Sequence, residues 1–160
     1  MKNRTFVTNN FEETKILGEK IAKDLKSGGV LVLYGELGSG KTTFVQGFAK
    51  GLGIKRRIIS PTFIIVRTYK LETQKSKVKS QNYNSKLKSL ERFYHIDLYR
   101  IQNEKKIEDL GIGEIINDPN SVVAIEWGEK MGSLLPKKRW NVRFEYLDEE
   151  RRKIAINEYY

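Results

Sequence analysis

Near the start of the chain Leu17, Ile21 and Leu25 recur every four residues, with Ile16 and Ala22 beside them, so this stretch predicts an amphipathic helix ending near Lys26. Asn10 followed three residues later by Glu13 has the spacing of a capping box at its start. Ser27, Gly28 and Gly29 break the pattern, and Val30 to Tyr34 is a short unbroken apolar run, the kind that makes a strand buried on both faces of a parallel sheet. A glycine-rich turn and a second helix, from about Lys41 to Leu52 and closed by Gly53, come next.

Ile58, Ile59, the run Phe63 to Tyr69 and the run Phe93 to Tyr99 are rich in β-branched and aromatic residues and predict strands. The stretch between the last two is different. Lys70 to Arg92 holds seven basic and two acidic residues among Ser, Asn and Gln, with Tyr83, Leu87 and Leu90 as its few bulky apolar members. It can bury little of itself, which predicts an exposed hairpin extension or a mobile loop. Glu104 to Asn117 reads as one helix despite Gly111 and Gly113, ended by Pro119. Val122 to Ile125 is a second buried-strand pattern that runs straight into Glu126. Trp140 to Tyr146 and Lys153 to Glu158 alternate on either side of the charged turn Asp148 to Arg152, predicting an antiparallel pair at the sheet edge.

Alternation of strand and helix over 160 residues predicts one α/β domain spanning 1–160, three layers with a mixed central sheet flanked by helices. The formal charge of +10 suits an anionic partner or substrate, although codon usage alone would also produce it. The lack of cysteine excludes disulfides, thiolate zinc sites and a Cys nucleophile, and a single histidine, His95, excludes a histidine metal cluster. No stretch approaches the ~18 apolar residues of a membrane span, and Met1 to Phe11 lacks the apolar core of a signal peptide. A cytoplasmic protein with no membrane partner is expected.

The chemistry concentrates in Gly35-Glu-Leu-Gly-Ser-Gly-Lys-Thr42, which matches G-x-x-x-x-G-K-[ST] with a strand before it and a helix after it. In such a loop backbone N–H groups converge on one concavity, and the helix N-terminus adds its positive end. Lys41 can reach the β and γ phosphates and Thr42 offers a hydroxyl to Mg²⁺. Metal or water in such a site needs a carboxylate at the end of a neighbouring strand, and both Glu126 and Asp97 qualify. In Ser60-Pro-Thr-Phe63 the proline fixes a turn that presents Thr62, either as a sensor of the terminal phosphate or as a satisfied hydroxyl at a strand start. His95 reads as a packed or hydrogen-bonded residue rather than a catalyst. Trp127 reads equally as core or as an aromatic platform at the mouth of the site.

Four blocks in order, Leu33 to Phe44, Ser60 to Phe63, Tyr94-His-Ile-Asp-Leu-Tyr-Arg100 and Glu126-Trp127, resemble the bacterial tRNA threonylcarbamoyladenosine biosynthesis protein TsaE (YjeE) family, as do Glu108-Asp-Leu-Gly111 and Leu135-Pro136. The resemblance implies a P-loop ATPase using ATP and Mg²⁺, partnered by the TsaB and TsaD subunits in modifying position 37 of tRNA. Carbamoyl transfer would belong to TsaD, with hydrolysis resetting the complex and tRNA met through it. Carried over, the match puts Gly38, Ser39, Gly40, Lys41, Thr42 and Thr43 on the phosphates, Thr42 and Glu126 on Mg²⁺, and Asp97 beside the metal or water. Thr62 would belong to a nucleotide-sensing switch, Asn10 to Thr14 would lie at the nucleoside end, and Arg151 would reach back toward the nucleotide. Catalysis would rest on Lys41, Asp97 and Glu126. The segment Lys70 to Arg92 departs from the family's short hairpin. A nucleoside kinase would need an Arg-rich lid, and that segment offers only Arg92. An RNA-binding module is supported by charge alone.

Overall fold

The computed structural model describes residues 3–25, 28–59, 64–71 and 90–159. In chain order they form β1 (Asn3–Thr8), α1 (Phe11–Asp24), β2 (Gly29–Tyr34), α2 (Lys41–Gly51), β3 (Val66–Lys70), β4 (Arg92–Asp97), α3 (Glu104–Asp109), α4 (Ile112–Ile116), β5 (Ser121–Glu126), a 3-10 segment (Gly128–Leu134), β6 (Arg139–Tyr146) and β7 (Arg152–Tyr159). The strands make one mixed sheet in the order β1-β7-β6-β2-β5-β4-β3. β2 lies parallel to both β5 and β6, and β5 parallel to β4. The other three pairings, β1 with β7, β6 with β7 and β3 with β4, are antiparallel.

The central strands β2 and β5 are apolar on both faces because helices cover both. On one face Leu31, Leu33, Phe93 and Ala124 pack against Ile21 of α1 and Phe44 and Phe48 of α2. On the other Val32, Ile96 and Ile125 pack against Ile107, Ile112 and Met131. The rings of Phe44 and Phe144 meet edge to face with centroids 5.7 Å apart, tying α2 to β6. Helices α1 and α2 lie so close that a Cβ on Gly47 would collide with the backbone carbonyl of Lys15. This contact holds the helix that begins at the phosphate-loop motif.

The start of α1 follows the sequence reading in part. Asn10 Oδ1 accepts from the Glu13 N–H at 2.8 Å, but the Glu13 carboxylate accepts from the backbone N–H of Asn9 rather than that of Asn10. Four other readings need correction. β1 was not anticipated, because Asn3 to Thr8 is polar and alternates weakly; its pairing with β7 makes it a strand and the sheet edge. The β6–β7 pair is therefore not at the edge, since β6 also pairs with β2. Ile58 and Ile59 lie outside any strand, Ile58 being buried in the core cluster from a loop. The expected helix from Glu104 to Asn117 divides into α3 and α4 because Gly111 takes a left-handed conformation, φ 66°.

Of the basic stretch Lys70 to Arg92, residues 72–89 lie outside the described residues, as do Thr62 and the rest of Ser60 to Phe63. The flanks of the first are joined, with the N–H of Leu71 donating to the carbonyl of Glu91 at 2.8 Å. They sit at the end of β3 and β4 opposite Asp97. No helix among the described residues is long and apolar enough to cross a membrane.

Candidate functional site: a phosphate loop facing a buried acid

The loop between β2 and α2 folds back on itself through Gly38 and Gly40, whose φ angles of 77° and 99° lie in the region that side-chain-bearing residues avoid. Gly40 is the N-cap of α2 and no side chain caps that end, so the first-turn N–H groups of Lys41, Thr42 and Thr43 are left for a ligand. The first helical bond runs from the Phe44 N–H to the Gly40 carbonyl at 2.9 Å. Inside the loop the Ser39 hydroxyl is buried without a hydrogen-bond partner among the described residues. The Ser39 N–H is held by the Glu36 carbonyl at 3.1 Å, and an orphaned hydroxyl beside the first-turn donors of α2 fits a phosphate oxygen.

Lys41 is only 4% exposed and its ammonium donates to the carbonyls of Gly35 at 2.6 Å and Glu36 at 2.9 Å. The indole of Trp127 covers it, with Nζ 4.0 Å from a ring centroid. Burial pushes the Lys41 pKa below its ordinary value, while Glu126, Glu129, Asp97 and Glu36 pull the other way. Trp127 sits at φ 64°, ψ 50°, and a backbone of this kind costs on the order of 1 kcal/mol or more unless its surroundings hold it. Its carbonyl accepts from the Lys130 N–H at 3.0 Å, its ring packs on Tyr99, and it is partly buried against the second core cluster.

Across the loop, β5 ends at Glu126, which is buried because β5 lies between β2 and β4. The Thr42 hydroxyl lies 2.9 and 2.8 Å from the two oxygens of that carboxylate. Oε1 is also 2.7 Å from Nε2 of His95. Asp97 stands beside Glu126 in the β4–β5 register and is buried as well. Its Oδ1 accepts from the Tyr99 N–H at 2.9 Å, which turns the chain as it leaves β4. A hydroxyl and a carboxylate are hard oxygen donors, the set that suits Mg²⁺ when a nucleotide and water supply the remaining positions.

The structure thus brings Gly38, Ser39, Gly40, Lys41, Thr42, Thr43, Asp97 and Glu126 to one end of the sheet. Thr14 joins them through its methyl group, which would lie 3.7 Å from a Cβ at Gly40. Its hydroxyl is turned to Thr8 Oγ1 at 2.9 Å and the Asn10 carbonyl at 3.2 Å. Arg151 lies in the β6–β7 turn, where its Nε donates to Asp148 at 2.6 Å. With Asn9, Asp148, Glu149 and Glu150 it lines a shallow cavity of about 460 Å³. Two contacts went unread in the sequence. Tyr146 donates its hydroxyl to the Leu37 carbonyl at 3.0 Å, bracing the loop from β6, and His95 reaches Glu126. Both depend on which strands are neighbours, and nothing local signals that.

An apolar central strand, a phosphate loop closing on a helix, and an acid at the end of the adjacent parallel strand define a P-loop nucleotide-binding fold. The model of the family described as threonylcarbamoyl adenosine biosynthesis protein TsaE matches residues 8–154, and the chain belongs to that family. A tRNA threonylcarbamoyladenosine biosynthesis protein TsaE of Bacillus subtilis (strain 168) is 37% identical over 156 residues, 98% of this chain and 86% of that protein. One from Rickettsia felis is 36% identical over 151 residues, covering 94% and 77%. The crystal structure of YdiB from Bacillus subtilis shares the fold with a TM-score of 0.73 at 30% identity, over 99% of this chain and 87% of that one.

Proposed function

We propose that this chain is a Mg²⁺-dependent ATPase of tRNA threonylcarbamoyladenosine formation, a single domain that couples hydrolysis to the work of partner subunits. The observation that carries the reading is the Thr42 hydroxyl set against the Glu126 carboxylate at 2.8 Å, at the start of a helix whose first turn no side chain caps among the described residues. Membership of the TsaE family supports the pathway, and the partners implied by the resemblance are TsaD and TsaB.

In this reading the N–H groups from Gly38 to Thr43 and the Ser39 hydroxyl bind phosphate oxygens. Lys41 exchanges its two carbonyl contacts for the β and γ phosphates, with Trp127 keeping water from the ammonium. Thr42 and Glu126 hold Mg²⁺, and Asp97 orients water beside them. Bound Mg²⁺ supplies charge neutralisation between the terminal phosphates. Thr62 senses the nucleotide state, while Asn10 to Thr14 and Arg151 flank the nucleoside end. Glu126 and Asp97 emerge where β4 and β5 end, the location at which open α/β sheets bind ligands.

Intrinsic turnover is slow in this account because nothing in the sequence clearly supplies a trans-acting arginine finger, and lacking one costs ~10³ to 10⁵ in rate in related enzymes. The test compares hydrolysis by the isolated chain with hydrolysis in the presence of TsaD, TsaB and tRNA. Stimulation by the partners is expected. Full-rate tRNA modification with Lys41→Ala in place of the wild-type chain would overturn the coupling role.

A further inference from the structure

We propose that His95 is the positioning residue of the cation site, fixing the Glu126 carboxylate through its Nε2–H from the rigid side of the site. The inference rests on the ATPase reading and names the residue that aims its acid. His95 is fully buried on β4, on the same face of the sheet as Phe93 and Asp97. Across the β4–β5 register it stands opposite Ala124, two pairs before Asp97 and Glu126 and on the same face as both. The small Ala124 side chain leaves the imidazole room to reach diagonally to Glu126, at 2.7 Å.

A carboxylate accepts hydrogen bonds and does not donate them, so the proton of the contact belongs to Nε2. The other ring nitrogen, Nδ1, has no partner among the described residues. Glu126 is thus the one hydrogen-bond partner of the ring there, and space filling alone does not explain the residue. An apolar side chain would pack beside Phe93 without the ~1–3 kcal/mol that burying an unbonded polar group costs.

Among the described residues the Glu126 carboxylate has two side-chain donors, and they differ in what holds them. Thr42 belongs to the segment that meets the nucleotide, and its single hydroxyl proton is shared between both carboxylate oxygens. His95 sits on β4, a strand paired on both sides by β3 and β5, and takes no part in the loop. When Thr42 turns to a ligand, His95 is the donor left to keep the carboxylate in place. Partners of this kind, one shell out from a metal, change metal affinity or activity by about 10- to 100-fold when removed.

His95 is the only histidine in the chain, so ¹⁵N-labelled wild-type protein gives a single imidazole spin system whose tautomer reads the contact without nucleotide or turnover. The Nε2–H tautomer is expected, with a shift of that resonance in Glu126→Gln. Calorimetric titration with ADP, with and without Mg²⁺, then separates positioning from general damage. His95→Leu should weaken Mg²⁺-ADP binding about 10- to 100-fold while leaving Mg²⁺-free ADP binding within about twofold. His95→Gln, which keeps an N–H near the place of Nε2, should recover most of the loss. An Nδ1–H tautomer in a protein that binds nucleotide would overturn this role alone, as would equal loss with and without Mg²⁺ or no rescue by Gln. Failure of the wild-type chain to bind nucleotide at all would overturn the ATPase reading and this role with it.

Discussion

Replacing Thr42 with Val keeps the shape of the side chain and removes the hydroxyl that donates to Glu126 at 2.8 to 2.9 Å. Glu126 is 2% exposed, so water does not readily replace the lost donor, and among the described residues His95 is the side-chain donor that remains against the carboxylate. A hydrogen bond to a charged group contributes about 1.5 to 3 kcal/mol. In a chain of this size each kcal/mol shifts Tm by roughly 2 to 4 °C, so the nucleotide-free variant should melt about 3 to 12 °C lower. Thr42→Ser, which keeps the hydroxyl, should melt near wild type. Thermal unfolding of the three proteins without nucleotide, followed by circular dichroism, measures the effect, and Mg²⁺-dependent hydrolysis should fall only in Thr42→Val. A Val variant within about 1 °C of wild type, or a Ser variant as unstable as the Val variant, would refute the pairing of loop and acid.

Three further outcomes are expected. Burial lowers the Lys41 pKa, so the folded chain binds that proton less tightly than the unfolded chain and stability gains from its loss. The cost of the buried ammonium is full below the folded pKa and disappears as pH rises toward 10.5, so wild type should gain stability relative to Lys41→Met over that interval in urea unfolding; a constant difference would contradict this. Gly47→Ala should destabilise by about 1 to 3 kcal/mol through the clash with Lys15 although Ala favours helix, whereas Gly113→Ala, whose added Cβ meets nothing within 4 Å, should not. Deleting residues 72–89 should leave hydrolysis by the isolated chain within about twofold, because the segment departs from the end of β3 and β4 opposite Asp97; loss of activity would contradict that placement.

The parts legible in the sequence are those whose signal is local. Val30 to Tyr34, the glycine loop and Lys41 onward announce strand, cradle and helix by residue type alone, and the run Val-Val-Ala-Ile delivers Glu126 to the end of its strand. What escaped depends on neighbours distant in sequence. β1 is a strand because β7 offers it a ladder, and its alternation of exposed and half-buried residues is too weak to show beforehand. Gly111 resembles a tolerated helical glycine until its positive φ divides α3 from α4. His95 reads as packed or hydrogen-bonded, but its partner is not legible, because the spacing to Glu126 exists only in the β4–β5 register, where pairing with Ala124 makes it the diagonal neighbour of the acid. Trp127 reads as core or platform, and the structure gives it part of each, packed on the second core cluster with the Lys41 ammonium under its ring.

The central claim is that one loop and one acid together bind a Mg²⁺-nucleotide. Its most direct measurement is the affinity of a non-hydrolysable ATP analogue for the wild-type chain, Lys41→Ala and Glu126→Ala, each with and without Mg²⁺. The account predicts that Mg²⁺ tightens binding to wild type, that Lys41→Ala loses affinity in both conditions, and that Glu126→Ala loses only the increment due to the metal. Equal affinity of all three proteins, unchanged by Mg²⁺, would place the nucleotide elsewhere and contradict it.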